Sequence, residues 1–250
     1  MVSKYNTQKT ERPRLISQNT QDPLQLPFWD DFSTSSRLPD RDKWINSENV
    51  RISNSTGINP PTLNVAVFDG IDASGNPYNA TSLINGKSDS LTSCIIDLST
   101  LAADQADSVY LSFFWQLNGR GEIPEREDSI VLQAKAPDGS WQRLWSLKGG
   151  FEKESSEFEQ VLIKIEQDFW HDAFQFRFQA YSNLTGPFDT WLIDYVFLNK
   201  SRSTLNIAYL DRALTKRPSF LTAPYTAIPT EQFFSDPNKY VVETTSEFYN

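Results

Sequence analysis

The chain has 250 residues, of which 38% are hydrophobic and 22% are charged, so it can bury a core and is not built like a disordered protein. Thirty-two acidic residues against 23 basic ones give a formal net charge of −9, which argues against a nucleic-acid partner and against adhesion to an anionic membrane surface. One cysteine and one histidine exclude an internal disulfide framework and multi-histidine metal centres.

The texture of the sequence divides the chain into three parts. Residues 1–26 are polar and show no periodicity, which predicts a flexible lead-in. Residues 27–210 consist of short apolar or alternating runs separated by turn residues. Residues 211–250 hold four prolines and scattered aromatic residues without sustained alternation, which predicts an irregular tail or the start of a further domain.

Targeting and membrane-spanning segments are not expected from this sequence. The first 20 residues lack the apolar stretch of a signal peptide, and no apolar run approaches the ~20 residues that a membrane helix needs. If the protein is exported, we expect this numbering to describe a mature form. The chain stops shortly after an apolar run at 240–242, which predicts that it belongs to a longer multidomain protein or surface assembly.

Ten strands are predicted in the middle part of the chain. In chain order they lie at 28–33, 43–53, 62–68, 91–98, 109–116, 128–135, 140–147, 159–166, 173–181 and 189–199. The runs at 109–116, 159–166 and 173–181 alternate most clearly, with aromatic and β-branched residues at every second position. About ten short strands with hardly any helix predict an all-β fold, a two-sheet antiparallel β-sandwich.

Several segments resemble one domain family, and the most specific is Asp189-Thr190-Trp191-Leu192-Ile193-Asp194-Tyr195-Val196. The others are Leu26-Pro27-Phe28-Trp29-Asp30-Asp31-Phe32-Ser33, Val67-Phe68-Asp69-Gly70, Asp89-Ser90-Leu91-Thr92-Ser93, Leu111-Ser112-Phe113-Phe114-Trp115-Gln116 and Phe174-Gln175-Phe176-Arg177-Phe178. Over roughly 27–200 the chain resembles the MAM-like and concanavalin-like jelly rolls of gliding-associated or type IX-secreted Bacteroidetes surface proteins. The resemblance implies a lectin-like jelly roll, extracellular or on the outer-membrane surface of a Gram-negative bacterium, that contacts glycan or another surface.

A carboxylate on an apolar strand face suggests a metal site. Asp194 shares a face with Leu192 and Val196, so its burial is costly unless N–H groups or a cation satisfy it. The resemblance implies one structural calcium ion held between Asp194 and the first strand, where Asp30 or Asp31 would supply a further oxygen ligand. The alternative is that Asp194 accepts hydrogen bonds from a neighbouring loop, while Asp30 and Asp31 cap a turn.

Aromatic and amide side chains are the candidates for contact with a sugar ring. The predicted ligand-binding residues are Trp115, Gln116, Asn118, Trp141, Trp145 and Tyr181. Trp141 and Trp145 stand at even spacing, so we expect them to form a ledge on one sheet. The alternative is that these aromatic residues pack in the core and form cross-strand pairs.

An acidic run at 122–128 is the best place to look for hydrolytic chemistry. Two carboxylates about 5 Å apart can cleave a glycosidic bond. The run contains Glu122, Glu125, Glu127 and Asp128, but it also contains Pro124 and lacks the Glu-x-Asp-x-x-Glu strand pattern of jelly-roll glucanases. It therefore predicts a solvated acidic loop.

The sequence predicts a non-enzymatic surface or secreted module that contacts glycan, with no catalytic residues. The alternative is a structural subunit or spacer of a surface or secretion assembly that binds protein, and a glycoside hydrolase ranks third. A polar groove with one or two aromatic platforms would indicate glycan binding, whereas a contiguous exposed apolar patch would indicate a protein partner.

Overall fold

A computed structural model describes residues 22–81, 83–150, 157–205, 213–214, 218–246 and 248–249 of the chain. Within these ranges it contains one α-helix, α1 (Thr230–Ser235), and thirteen short strands. The strands are β1 (Phe28–Asp30), β2 (Trp44–Ile45), β3 (Arg51–Ser53), β4 (Val65–Phe68), β5 (Asn85–Ser93), β6 (Tyr110–Leu117), β7 (Ser129–Lys135), β8 (Trp141–Lys148), β9 (Glu159–Lys164), β10 (Phe176–Asn183), β11 (Trp191–Asn199), β12 (Ala213–Leu214) and β13 (Phe248–Tyr249).

Two antiparallel sheets form the body of the protein. The six-stranded sheet runs in the order β3-β4-β11-β6-β9, with β1 also pairing with β11. The five-stranded sheet runs in the order β2-β5-β10-β7-β8. This arrangement confirms the predicted all-β, two-sheet antiparallel sandwich with a largely irregular C-terminal part.

The core fills the space between the two sheets. Phe113 of β6 and Phe178 of β10 meet edge to face with ring centroids 4.9 Å apart. Phe28 and Trp44 join the first two strands to this core at 5.2 Å. Such edge-to-face pairs add to the stabilisation that burial of aromatic area provides. The alternation predicted for 109–116 and 173–181 is therefore the alternation of core and outer face.

Most predicted strands differ by a few residues at their ends from those in the structure, and two differ more. The run 43–53 is divided between the two sheets as β2 and β3, because Asn46 adopts a left-handed φ of 52° and a short 3₁₀ turn follows it. Only 91–93 of the predicted strand 91–98 lie in a strand, since β5 begins six residues earlier, at Asn85, and ends at Ser93. The residues 85–90 are mainly polar and carry no apolar alternation, so the sequence pattern did not indicate their strand.

The hairpin between β7 and β8 decides which side chains reach the outer face. Its turn is closed by Gly139, at a φ of 84°, which donates its N–H to the carbonyl of Ala136 over 2.8 Å. The pairing then shifts by one residue, so that Gln133 lies opposite Arg143 whereas Leu132 lies opposite Trp145. This β-bulge reverses the sides to which β8 residues point before and after Leu144.

The described C-terminal part of the chain adds little to the core. α1 is six residues long and buries no residue, and the aromatic side chains of Phe220, Tyr225 and Phe234 are exposed. Most of the predicted lead-in 1–26 lies outside the described residues, so the three-part division of the chain stays a prediction. In the part that the structure describes, no helix is long and apolar enough to cross a membrane.

Candidate functional site

Antiparallel register aligns outward side chains in rows across the five-stranded sheet. Residues directly opposite each other point to the same face of a sheet. The rows across β5, β10, β7 and β8 are Lys87–Tyr181–Ser129–Lys148, then Ser90–Gln179–Val131–Ser146, then Thr92–Arg177–Gln133–Arg143, and finally the pair Lys135–Trp141. The outer face of this sheet is therefore polar, with one tryptophan and one tyrosine near opposite ends.

A groove runs over these rows. It has a volume of about 420 Å³ and is lined by Ser129, Val131, Gln133, Trp141, Arg143 and Tyr181. Six residues separate the row of Trp141 from the row of Tyr181 along β7, which corresponds to about 20 Å. Between the two aromatic rings the groove is lined by Val131, Gln133 and Arg143 of the middle rows. The groove thus has the shape of a trough with an aromatic residue near each end.

Trp141 is positioned by its neighbours on the adjoining strands. The guanidinium carbon of Arg177 lies 4.2 Å from the centroid of its ring. Arg177 in turn donates from Nε to Oε1 of Gln133 over 2.8 Å. The cation–π contact and the hydrogen bond fix the ring, the guanidinium and the amide relative to one another. A ligand in the groove therefore meets a preformed surface.

The predicted ledge of Trp141 and Trp145 is wrong. Because of the bulge in β8, Trp145 lies opposite the buried Leu132 and packs against the core. Its ring centroid is 5.2 Å from that of Phe113. The prediction assumed a regular strand, in which residues at even spacing point to the same face. The extra residue of the bulge breaks this alternation between Trp141 and Trp145.

The run Trp115, Gln116 and Asn118 belongs to the other sheet. Trp115 is 7% exposed and lies in the core cluster, so it offers no exposed platform. Gln116 is buried and exchanges two hydrogen bonds with the backbone of Ile58, at 2.9 Å and 2.7 Å, which hold the neighbouring loop. Asn118 occupies the turn after β6 at a φ of 51°. The structure therefore brings only Trp141 and Tyr181 of the predicted ligand residues to the groove.

Asp30 and Asp31, either of which was predicted to hold calcium together with Asp194, have different hydrogen-bond partners from Asp194 for their carboxylates. Asp30 accepts hydrogen bonds from the indole of Trp44 at 2.6 Å and from Nζ of Lys43 at 3.2 Å. The Asp31 carboxylate accepts from the backbone and hydroxyl of Ser33 at the start of a turn. Within the described ranges, no three or more His, Cys, Asp or Glu residues are grouped as metal ligands would be.

Asp194 is satisfied by the loop that precedes β4. It is fully buried and accepts from the backbone N–H of Thr62 at 3.0 Å, the Thr62 hydroxyl at 2.8 Å and the N–H of Tyr195 at 2.6 Å. Burial raises the pKa of Asp194 well above its usual value, and the bonds from Thr62 oppose that rise. These contacts match the alternative in which a neighbouring loop satisfies the carboxylate.

Oxygen atoms nevertheless outnumber protons around Thr62. Its Oγ1 lies 2.8 Å from the carbonyl of Asp31, 3.4 Å from the carbonyl of Asn64 and 2.8 Å from the Asp194 carboxylate. A hydroxyl has one proton to donate, so it cannot satisfy all three acceptors. One carboxylate with carbonyl and hydroxyl oxygens is a donor set that calcium accepts.

The acidic run lies beside a second, smaller cavity beyond the end of the groove. This cavity of about 180 Å³ is lined by Leu83, Glu122, Ile123, Glu125, Asn183, Phe188 and Asp189. Burial raises the pKa of Asp189 to about 7, and the nearby carboxylate of Asp128 adds to the rise. Asp128 accepts from the backbone N–H of Glu125 at 2.7 Å. Asp128 and Asp189 are both buried and accept backbone hydrogen bonds from Glu125 and Asn183, and neither of them lines the groove.

The remaining groove residues could have been predicted from the alternation of inward and outward positions along the strands. Ser129, Val131 and Gln133 are the polar or outward positions of the predicted strand 128–135, and Arg143 is an outward position of β8. What the sequence did not show is which strands pair. Register between β10 and β7 joins residues more than 40 positions apart.

No protein-family model matches the chain, and no curated protein matches it. Similar solved structures include the CBM22-1 xylan-binding domain of Xyn10C from Paenibacillus barcinonensis, with 6% identity and a TM-score of 0.38 over 74% of this chain and 100% of that one. They also include CBM27-1 of Caldicellulosiruptor saccharolyticus in complex with mannohexaose, with 16% identity and a TM-score of 0.39 over 69% and 96%. An arabinose-bound GH51 α-L-arabinofuranosidase has 9% identity and a TM-score of 0.41 over 70% of this chain. The chain spans 26% of that enzyme's length.

Proposed function

We propose that this protein is a non-enzymatic module that binds a glycan in the groove on the outer face of its five-stranded sheet. The observation that carries the proposal is the trough of about 420 Å³ with Trp141 near one end and Tyr181 near the other. The apolar face of a sugar ring stacks on an indole or phenol ring, and hydroxyl groups need amide, hydroxyl and guanidinium partners. Gln133, Arg143 and Ser129 supply these partners between the two rings.

The absence of hydrolysis is part of the proposal. Within the described residues, no carboxylate lines this groove. Glycoside cleavage needs an acid and a nucleophile or base on either side of the bond. We therefore expect binding to leave the glycan intact, with no reducing ends released.

Immobilised glycans and soluble polysaccharides test the proposal with the full chain. We expect saturable binding to at least one glycan, weakened about tenfold or more by Trp141→Ala and by Tyr181→Ala, because an aromatic contact contributes on the order of 1 kcal/mol beyond the area it buries. Tyr225→Ala is the matched control, since Tyr225 is 57% exposed and lies in the C-terminal part of the chain. No detectable binding to any glycan, or equal binding by the wild type and the Trp141 variant, would refute the proposal.

A protein partner is the second candidate function. Leu83, Ile123 and Phe188 are 83%, 43% and 44% exposed around the smaller cavity. Glu122 and Glu125 line the same cavity, so the surface would suit a partner segment with apolar and basic side chains. If Phe188→Ser abolished binding of a partner protein and left glycan binding unchanged, that result would support the second function. It would also show that the two ligands bind to different surfaces.

We further propose that the oxygen cluster around Thr62 holds one structural calcium ion. The shortage of protons described above supports it, and Asp194, Thr62 and the carbonyl of Asp31 would be the ligands. We place the protein outside a Gram-negative cell, as a surface or secreted module within a larger protein or assembly. The resemblance of the segments quoted above supports that location, and surface labelling of intact cells would test it.

A further inference from the structure

Positive charge is concentrated on the outer face of the five-stranded sheet. The four strands that carry the groove, β5, β10, β7 and β8, contain five basic residues, and these are Lys87, Lys135, Arg143, Lys148 and Arg177. They contain one acidic residue, Asp89, which is fully buried and accepts hydrogen bonds from Gly70 and Tyr78. This face is therefore basic in a chain whose net charge is −9.

Among the described residues, the basic side chains of this face form no salt bridge. Within the described part of the chain, the salt bridges join Lys43, Arg51 and Lys164 to carboxylates, and none of them involves the five residues of the sheet face. All five occupy outward positions in the rows described above. Their charge is available to a ligand that lies in the groove.

Arg143 is the residue best placed to recognise an anion. It is exposed, it lines the groove, and it lies opposite Gln133, which holds Arg177 beneath Trp141. A guanidinium with unused donors binds a carboxylate or sulfate through two parallel hydrogen bonds. Lys135, in the next row, lies opposite Trp141 and adds a second positive charge at this end of the groove.

Charge at the two ends of the groove is unequal. The acidic loop 122–128 leads directly into Ser129, so Tyr181 and Lys148 stand near carboxylates. The Trp141 end carries Arg143, Arg177 and Lys135, with Asp138 in the adjoining turn, where it accepts from the N–H of Ser140. Since the Debye length is about 8 Å at physiological ionic strength, the distant acids of the chain are screened from this end.

We infer that the glycan bound in this groove is anionic, with its carboxylate or sulfate groups at the Trp141 end. The inference rests on the proposed glycan-binding function and names the class of its ligand. A sugar ring stacks on Trp141, and the acidic substituent of that ring or of its neighbour pairs with Arg143. The polar middle rows accept the hydroxyl groups of the following sugars.

Pairs of polysaccharides that have the same sugar backbone but differ in charge test whether the protein recognises the charge of its ligand. Polygalacturonate is compared with fully methyl-esterified pectin, and dextran sulfate with dextran, with xylan and mannan as further neutral polymers. We expect one charged polymer to bind at least about tenfold more tightly than its neutral twin, as bidentate charge-assisted bonds exceed neutral ones. Polygalacturonate and dextran sulfate distinguish a carboxylate ligand from a sulfate ligand. A single-stranded oligothymidylate serves as the control for charge alone, because it is an anionic polymer but not a polysaccharide.

Variants and salt then locate the contact. Arg143→Gln should weaken binding of the charged polymer about tenfold and binding of a neutral polymer much less, because a neutral sugar loses only a hydroxyl contact. Lys200→Gln, which removes one exposed charge outside the sheet face, should change neither. Raising salt from about 0.01 M to about 0.1 M shortens the Debye length from about 30 Å to about 10 Å and should weaken binding. Melting curves of each variant confirm that the fold is intact.

Three results would overturn the inference. Equal binding of charged and neutral twins, or tight binding of neutral polymers alone, would refute the anionic ligand and leave the glycan-binding function standing if Trp141→Ala still abolished it. Binding to dextran sulfate or oligothymidylate that Arg143→Gln and Trp141→Ala do not change would be simple ion exchange. Silence of all polymers would refute both the inference and the proposed function.

Discussion

Trp141 illustrates how single residues prepare the groove before a ligand arrives. The ring lies 4.2 Å from the guanidinium carbon of Arg177, which is itself bonded to Gln133. Side chains that are already ordered lose less conformational freedom on binding. Arg177→Ala should therefore weaken glycan binding even though the residue is only partly exposed. An affinity equal to that of the wild type would show that Trp141 needs no support from it.

Asp89 provides a residue-scale test of the electrostatics. It is fully buried, and burial raises its pKa to about 7 despite hydrogen bonds from Tyr78 and Gly70. The neighbouring Asp69, which is paired with Arg51, adds to that rise. The native state therefore holds this proton more tightly than the unfolded chain. Its stabilising effect is complete below about pH 4 and is lost as the pH rises through about 7.

We expect this group to make the free energy of unfolding fall with rising pH by up to about 1.4 kcal/mol per pH unit between about pH 5 and 6, and by less as the pH passes through about 7. Asp89→Asn should flatten the profile, because an amide can accept from Gly70 and donate to Tyr78 at any pH. Asp138→Asn is the control, since that exposed carboxylate has a lowered pKa and titrates below this range. Denaturant unfolding at several pH values measures the slope, and an unchanged slope in the Asp89 variant would contradict the assignment.

Thr62 tests the account of Asp194. Thr62→Val keeps the shape of the side chain but removes one donor from a fully buried carboxylate, so we expect a loss of about 1–3 kcal/mol in stability. Thr245→Val, at an exposed position, should change little. If calcium occupies this cluster, millimolar calcium should raise the melting temperature of the wild type and not that of Asp194→Asn. Identical melting temperatures with calcium and with chelator would refute the calcium site and would show that hydrogen bonds alone satisfy the Asp194 carboxylate.

At the scale of the strand, the bulge in β8 separates two tryptophans with different roles. Trp141 lies before the extra residue and faces the groove, whereas Trp145 lies after it and contacts Phe113. Alternation predicted the strand itself, and Gly139 predicted its turn, because both depend on local conformation. The bulge depends on pairing with β7 and left no mark in the sequence of β8.

The two tryptophans should therefore respond in opposite ways to truncation. Trp145→Ala removes a half-buried ring that packs against the core and should cost about 2–3 kcal/mol of stability. Trp141→Ala should leave stability within about 1 kcal/mol and weaken glycan binding, since its ring lies on the outer face. Paired measurements of melting temperature and affinity check this. Reduced affinity with unchanged stability in the Trp145 variant would contradict the assignment of the two faces.

At the scale of the whole molecule, more of the fold than of the candidate site could be predicted from the sequence. Periodicity in runs such as 109–116 and 173–181 reports which side of a strand is buried, so the sandwich could be predicted. The groove depends on four strands meeting in one register, which joins Lys87 to Tyr181 and Ser129 across long stretches of chain. For that reason only Trp141 and Tyr181 of the predicted ligand-binding residues line the groove, while Trp115 lies in the core and Trp145 packs against it.

The central claim is that the outer face of the five-stranded sheet binds glycan. The most direct test is the ratio of the dissociation constants of Trp141→Ala and the wild type for the polysaccharide that binds best, measured by titration of the full chain. We expect the variant to bind about tenfold or more weakly while it melts at the wild-type temperature. Equal dissociation constants for the two proteins would show that the groove is not the binding site.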